Sequence, residues 1–269
     1  YKVINKAIKK IKEKRSIKYI TVTCSASCLI SLDKNFKPTN NVIMVSDKRA
    51  HKEAKIIKGL KNIINKKNIN ESEINAYSQI SRILWLKNNK IKEFIKTKYF
   101  LSPNDFLIGL LLEGECSTDP LNAKKMLYDE KNKSYPKQLY EKLGIDVDTL
   151  PKCNEIGTNL GKISLQTARK LSIDNQPEVI LTTYDAITSI VGGGGIYNGI
   201  LSDQSGTVSS IRMFNKNKYF DKKNRIFCQK FAPEKGYFLG GSNNLGGGLI
   251  EWAKIAFYKN DQNIYNLME

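Results

Sequence analysis

One acidic residue between an apolar run and a glycine tract constrains this chain more than any other feature. The apolar run begins at Val179 and delivers Asp185, which a short apolar helix and the four glycines at 192–195 follow. A second strand-like segment then carries a Gly-Thr turn at 206–207. Glycine lets backbone N–H groups approach phosphate oxygens, and threonine adds a hydroxyl. A carboxylate together with such a turn favours phosphoryl transfer to a hydroxyl group.

The composition is that of a globular protein with room for a sizeable core. The chain has 269 residues, of which 41% are hydrophobic, so one or two domains are expected. No apolar run approaches the roughly 20 residues that span a bilayer, and the charged N-terminal segment lacks the apolar core of a signal peptide. We therefore expect no membrane partner and a cytoplasmic location. Because the first residue is not Met, we expect a segment of a longer product.

The formal net charge of +18 has two interpretations. It could belong to a nucleic-acid-binding module, or to lysines spread over solvated faces. Lysine clusters at 9–15 and 216–225 are not interleaved with any recognised nucleic-acid-binding motif, so we expect no nucleic-acid partner. The charge would also steer anionic ligands such as ATP toward the protein.

The cysteine pattern argues against a metal site. The five cysteines are odd in number and scattered, none forms a CxxC pair, and His51 is the single histidine. Zinc sites need closely spaced Cys and His ligands, so reduced thiols within a core are expected and a metal site is not.

Hydrophobic periodicity indicates a mixed α/β protein. Strands are predicted at 17–23, 28–32, 42–45 and 179–182, and a block of helices lies between them, so a helical insertion within a sheet domain is expected. Ser102 should cap a helix that has Asp105 in its first turn. Gly144 should end a helix near 136–143, and Ser164 should cap a helix at 165–171. A further helix is expected through residues 56–64, with Asn70 capping the one after it.

The last part of the chain changes in character after Gly199. Two β-like segments at 208–214 and 225–231, separated by a charged turn, predict a hairpin, and a helix is predicted from residue 249. A hairpin and one helix cannot bury a core of their own, so a second domain is expected to be only begun.

Several segments, in order, resemble the FGGY family of carbohydrate kinases. Residues 45–49, VSDKR, are similar to its W-x-D-x-R motif with Val45 in place of Trp. Residues 77–89 resemble its first signature around K-L-x-W-L, with Arg82 replacing the usual Lys. Residues 101–119 are similar to its P-K-D-Y-L…T-D segment, and further matches lie at 143–151, 184–194, 205–209 and 241–252.

The resemblance implies a ribonuclease-H-like (actin-like ATPase) sugar kinase fold of the α/β class, with two domains closing over a cleft. Residues 1–199 would form the N-terminal, sugar-binding domain, nearly complete but without its first strands. Residues 200–269 would begin the C-terminal, ATP-binding domain. The first phosphate loop, D-x-G-T, is expected before Tyr1, and most of the second domain after Glu269.

The resemblance also implies a division of labour at the phosphoryl-transfer site. Asp185 would be the general base that takes the proton of the attacking sugar hydroxyl. The alternative role is an ordinary helix cap, and both roles are compatible. A phosphate-binding turn would bring backbone N–H groups and a hydroxyl to the β- and γ-phosphates of ATP, and a plain hairpin turn is the alternative; its residues are Gly206, Thr207, Val208 and Ser209. ATP would bring Mg²⁺, held largely through water.

Sugar recognition is assigned to a second set of residues. Tyr77 would contact the substrate or belong to the core, and Asp47 and Arg49 would contact the substrate or pair with each other. Ser25 lies in a loop that faces the sugar in the family. A sugar or polyol is the implied small-molecule partner, with xylulose or a similar ketose preferred over gluconate or glycerol.

Three hypotheses about function therefore remain open. The first is an ATP-dependent carbohydrate kinase, whole or as part of a longer product. The second is a non-catalytic fragment or a split half of such a kinase. The third is a basic nucleic-acid-binding module. The sequence leaves the oligomeric state open, with a homodimer among the options.

Overall fold

The computed structural model describes residues 2–13, 17–60, 62–63, 73–206, 209–219, 221, 223, 225–243 and 246–257. The chain divides into two compact units, residues 1–188 and 189–269. Each unit is described by itself. The domain boundary expected at 199/200 remains a prediction.

The first unit is rich in helices, as the sequence pattern predicts. Its helices are α1 (Lys2–Ile8), α2 (His51–Gly59), α3 (Gln79–Asn89), α4 (Ile91–Lys96), α5 (Pro103–Leu111), α6 (Pro120–Ala123), α7 (Lys137–Leu143), α8 (Leu165–Leu171) and the start of α9 (Asp185–Gly192). Its strands are β1 (Tyr19–Ile20), β2 (Ile30–Leu32), β3 (Tyr99–Leu101), β4 (Ser117–Thr118), β5 (Lys152–Cys153), β6 (Asn159–Lys162) and β7 (Glu178–Ile180). The helix predicted through residues 56–64 begins earlier, at His51, and ends at Gly59. The predicted helix cap Asn70 and residue 64 lie outside the described residues.

The strands of the first unit pair in short ladders. In the three-stranded sheet, β7 lies between β1, to which it is parallel, and β6, to which it is antiparallel. The strands predicted at 17–23 and 179–182 are shorter than expected, because their later backbone groups bond elsewhere. The carbonyl of Leu181 accepts from Gly157 at 2.8 Å, and that of Cys24 accepts from Asp185 at 3.0 Å. The strand predicted at 42–45 is a single bridge, Ile43 to Leu29.

Two clusters of buried apolar side chains hold the first unit together. One surrounds α3 and includes Leu29, Ile57, Ile80, Ile83, Phe100 and Tyr140. The other packs α5 and α8 against β7 and includes Ile108, Leu111, Ala168, Leu171 and Val179. Burial of such side chains stabilises a fold by about 1.5–3 kcal/mol each, so these clusters fix α3, α5 and β7 in place.

The helix ends confirm the capping predictions. The Ser102 hydroxyl accepts the Asp105 N–H, and the Asp105 carboxylate accepts the Ser102 N–H in return, which completes a capping box at α5. Ser164 caps α8 by accepting the Thr167 N–H at 3.0 Å. Gly144 ends α7 in the left-handed conformation with φ of 62°.

The second unit contains a four-stranded antiparallel sheet, where the sequence predicted one hairpin. Its strands are β8 (Leu201–Ser205), β9 (Ser209–Asn215), β10 (Phe227–Phe231) and β11 (Gly236–Asn243), in the order β10-β11-β9-β8. The hairpin predicted between 208–214 and 225–231 is wrong, because β11 lies between these two strands. The helix α10 (Gly247–Phe257) follows the sheet, close to the prediction.

The reason for this order is an aromatic cluster that only β11 completes. Phe238 of β11 is fully buried, and its ring lies 5.6 Å from that of Phe214 and 5.1 Å from that of Phe231. Gly240 permits the close pairing of β11 with β9, since a Cβ there would lie 2.1 Å from the carbonyl oxygen of Ile211. The second unit therefore buries a small core of its own, contrary to expectation.

None of the helices within the described ranges is long and apolar enough to span a membrane.

Candidate functional site

Asp185 is the first residue of α9, and its side chain is exposed to solvent. Its Oδ1 accepts the Ala186 N–H at 2.7 Å, and its Oδ2 accepts the Ser25 hydroxyl at 3.4 Å. The positive end of the helix dipole favours a carboxylate here. The helix-terminal position expected for a capping residue and the exposure expected for a base are thus both present.

The backbone that carries Asp185 is anchored to the loop that carries Ser25. The Asp185 N–H donates to the carbonyl of Cys24 at 3.0 Å. The carbonyl of Thr183 accepts from the hydroxyl of Thr23 at 2.9 Å and from the buried amide of Asn104 at 3.1 Å. The carboxylate therefore extends into solvent from a main chain held on both sides.

The thiol of Cys24, in the same loop as Ser25, lies in a partly buried and negatively charged environment. Burial, with the charges of Asp185 and Asp105, raises the pKa of Cys24 above its usual value. A thiol is reactive as the thiolate, so the raised pKa lowers the reactive fraction at neutral pH.

Asp47 and Arg49 form a bidentate ion pair. The Arg49 Nε donates to both carboxylate oxygens of Asp47, at 2.9 and 2.8 Å, and Nη2 lies 2.6 Å from Oδ2. This hydrogen bonding holds the pKa of Asp47 below its usual value. The guanidinium also lies over the Trp85 ring, 4.7 Å from its centroid. The pairing alternative is therefore confirmed, and substrate contact by either residue stays a prediction.

Tyr77 is half-buried rather than part of the buried core. Its backbone N–H donates to the Asn75 side chain at 2.9 Å, which shapes the turn before α3. The ammonium of Lys48 lies 6.0 Å from the centre of its ring. Tyr77 thus lies beside Lys48 of the 47–49 segment and is partly exposed.

Arg82 joins the segments that carry these candidates. It is fully buried in α3, and it donates to the carbonyls of Ser27, Val45 and Asp47, the last two at 2.8 and 3.0 Å. Residues 24–28 thereby run from Asp185 at one end to Arg82 at the other. The structure brings Ser25 to Asp185 through this loop, and Arg82 ties the loop to the segment that carries the Asp47–Arg49 pair.

The predicted phosphate-binding turn lies in the second unit. Gly206 and Ser209 flank the β8–β9 connection, and the hydroxyl of Ser209 lies 3.3 Å from that of Ser205. The Gly206 carbonyl accepts the Gly247 N–H at 2.6 Å. Thr207 and Val208 lie outside the described residues.

Two residues with structural roles at this site were not singled out from the sequence. Arg82 appeared only as a replacement for a lysine, although a charged residue among Ile80 and Ile83 signals a buried polar contact. Asn104 gave no signal, because its partner Thr183 is 79 positions away in sequence.

Metal-ligand clusters among the described residues and the surface depression beside α1 were the two other places where a site could lie. In the part of the chain that the structure describes, no three His, Cys, Asp or Glu side chains come together as metal ligands would. A depression of about 420 Å³ beside α1 is lined by lysines and an asparagine, none of which is a predicted site residue: Lys2, Asn5, Lys6, Lys9 and Lys170.

The chain is similar to known proteins in both sequence and structure. Residues 1–192 match the N-terminal domain of the FGGY family of carbohydrate kinases. The xylulose kinase of Lactococcus lactis subsp. lactis (strain IL1403) is 25% identical over 236 residues, 86% of this chain and 46% of the relative. The chain thus spans about half the length of the curated relatives it matches.

Solved structures agree on the fold. The ligand-bound xylulose kinase of Lactobacillus acidophilus superposes with a TM-score of 0.80 at 24% identity, over 97% of this chain and 53% of that structure. The glycerol kinase of Plasmodium falciparum with ADP gives 0.78 at 21% identity, over 98% and 54%. The expected α/β kinase fold is confirmed, and with the match over residues 1–192 the chain belongs to the FGGY family of carbohydrate kinases.

Proposed function

We propose that this protein takes part in the ATP-dependent phosphorylation of a sugar or polyol hydroxyl, with a ketose such as xylulose as the preferred substrate. The observation that supports it most is the exposed Asp185 carboxylate at the start of α9, braced by the loop that carries Ser25. The similarity to xylulose kinases, 22 and 25% identical, supports the ketose.

In the proposed reaction, Asp185 accepts the proton of the attacking hydroxyl as its oxygen bonds to the γ-phosphorus of ATP and ADP leaves. Phosphoryl transfer needs mostly positioning and charge stabilisation, with one carboxylate to orient the nucleophile. Because the main chain is held at Asp185 by the Cys24 carbonyl and at Thr183 by the Thr23 hydroxyl, the carboxylate keeps its position without rearrangement. The Ser25 hydroxyl donates to Oδ2 of Asp185, and Oδ1 accepts the Ala186 N–H at the start of α9.

The sugar would lie over the segments that Arg82 joins. Tyr77 offers part of an aromatic face, and the ionised Asp47 carboxylate offers acceptors for sugar hydroxyls. Arg49 orients that carboxylate and stacks on Trp85. Rigid, hydrogen-bonded side chains of this kind are suited to selecting one arrangement of hydroxyls over another.

ATP is a substrate in this proposal and would bring Mg²⁺ with it. The phosphates would meet backbone N–H groups and hydroxyls of the turn formed by Gly206, Thr207, Val208 and Ser209. Oxygen donors and water are the ligands that Mg²⁺ prefers, and the hydroxyls of Ser205 and Ser209 fit that requirement.

A second candidate is a half-kinase that needs the remainder of the enzyme for activity. The observation that favours it is that the chain covers only 46–54% of the kinases it resembles. Such a half would fold and bind sugar through its first unit without turning over ATP.

A panel of sugars and polyols, read by ADP release, tests both candidates. Xylulose, other ketoses, gluconate and glycerol would each be offered to the chain of 269 residues and to the complete gene product. Sugar-dependent ADP release by the chain of 269 residues supports the first candidate, and release only by the complete product supports the half-kinase. Absence of sugar-dependent release from both proteins with every compound rejects the proposed function.

A further inference from the structure

We propose that Arg82 positions the sugar-binding loops of this protein, an inference that rests on the kinase function proposed above. Arg82 lies within α3, where all residues from 79 to 84 are buried, and its own side chain is fully buried. A charged side chain is rarely fully buried unless partners compensate its loss of hydration. The compensation here comes from main-chain carbonyls.

The three carbonyls belong to two loops that are distant in sequence. Nη1 donates to Ser27, and Nη2 donates to Val45 at 2.8 Å and to Asp47 at 3.0 Å. The first loop carries Ser25, which bonds to Asp185, and the second carries the Asp47–Arg49 pair. Since the guanidinium is a rigid planar fork, it sets the separation of the two loops.

The helix that carries Arg82 organises the rest of the sugar side as well. Gln79, one turn earlier on α3, donates to the carbonyl of Cys28 at 2.8 Å. Tyr77 lies immediately before α3, in the turn that Asn75 shapes. One helix therefore fixes all the candidate sugar-binding segments, and Arg82 is the group that bridges the two loops.

Arg82 acts through these loops and not on the substrate. It is fully buried, and both of its terminal nitrogens donate to protein carbonyls, so it is a positioning residue. A lysine in this place would keep the charge, but one ammonium on a flexible stem cannot reproduce the two-armed geometry.

The test is Arg82→Lys in the complete gene product. We expect KM for the sugar to rise at least tenfold, which corresponds to about 1.4 kcal/mol. We expect KM for ATP to stay within twofold, because the two loops are proposed to contact sugar and not nucleotide, and kcat to fall by a smaller factor than KM for the sugar rises, because the 24–28 loop also braces Asp185. Arg82→Gln, which has no charge to bury and keeps one amide, is a second variant for which the same split is expected.

Lys87→Met is the matched control. Lys87 also lies on α3 and donates to a carbonyl, that of Leu143 at 2.5 Å, which is in neither loop. We expect Lys87→Met to change stability and to leave KM for the sugar unchanged. An unchanged sugar KM in folded Arg82→Lys, or equal losses with sugar and ATP, would overturn the inference.

Hydrogen exchange separates this inference from the kinase proposal. Backbone amides of residues 24–28 and 43–49 should exchange faster in Arg82→Lys than in the wild type, while those of α5 do not change. Equal exchange in both proteins overturns the positioning role even if sugar is phosphorylated. Failure of the wild type to phosphorylate any sugar or polyol rejects the kinase proposal, whatever the exchange shows.

Discussion

Asp185 is anchored through its backbone and exposed through its carboxylate, which is the combination a general base requires. Asp185→Asn keeps the side-chain acceptor for Ala186 and removes the negative charge. We expect the sugar-dependent kcat of the complete enzyme to fall by roughly 10²–10⁴, the usual share of general base catalysis. The midpoint of thermal unfolding should change little, since the side chain is exposed.

Ser25→Ala is the control for this variant. It removes the 3.4 Å hydrogen bond to Oδ2 and leaves the carboxylate in place, so a loss of less than tenfold is expected. Wild-type turnover by folded Asp185→Asn, measured by ADP release, would exclude Asp185 as the base.

Asp105 makes stability depend on pH. Burial raises its pKa to about 7, although the Ser102 backbone and hydroxyl and the Thr118 side chain oppose the shift. The folded protein therefore holds a proton that the unfolded chain releases near pH 4, and stability falls as pH rises from about 4 to about 7. Asp105→Asn stays neutral and should lack this fall.

Urea unfolding at pH 5 and pH 8 measures this dependence. The free energy of unfolding of Asp105→Asn, taken relative to that of the wild type, should be higher at pH 8 than at pH 5 by roughly 1–3 kcal/mol. The exposed Asp148→Asn serves as a control for the loss of one charge. Identical pH profiles for wild type and Asp105→Asn would show that Asp105 titrates alike in the folded and unfolded chain.

At the scale of elements, the start of α5 is fixed by a complete capping box. Ser102 is buried, and its hydroxyl and N–H both take part in the capping box with Asp105. Ser102→Ala should lower the free energy of unfolding by about 1–2 kcal/mol. Ser164→Ala, at the less buried cap of α8, should cost about 1 kcal/mol or less.

Chemical denaturation of both variants tests this order. The physical reason is that α5 carries Asn104, which donates to the carbonyl of Thr183 in the segment between β7 and Asp185, so the start of α5 is tied to the core. A larger loss for Ser164→Ala than for Ser102→Ala would contradict the ranking.

At the scale of the whole molecule, the net charge of +18 predicts weak and salt-sensitive contact with polyanions. Such contact is non-specific when it comes from phosphate neutralisation alone, and it weakens by about 10³–10⁵ between 50 and 200 mM salt for 6–10 phosphate contacts. We therefore expect a gel shift of duplex DNA only at low salt and without saturation. Saturable binding that persists at 200 mM salt would favour the nucleic-acid hypothesis instead.

How far the sequence predicted the fold depended on the range of the interactions. The caps at Ser102, Ser164 and Gly144 were correct because each involves residues within a few positions of one another. The strand β11 was missed, because Gly240 and Gly241 weaken a strand pattern that the Phe238 contacts restore. Long-range pairing of this kind leaves no local periodicity.

The sequence by itself determined the family, the mixed α/β class and the helix ends at Ser102, Gly144 and Ser164, because ordered motifs and local capping are written in neighbouring residues. It also placed Asp185 at the start of a helix. Only the tertiary structure decided that Arg82 lies buried between two loops and that Thr183 is held by Asn104. These contacts depend on which distant carbonyls and rings packing brings together, and no spacing in the sequence encodes that.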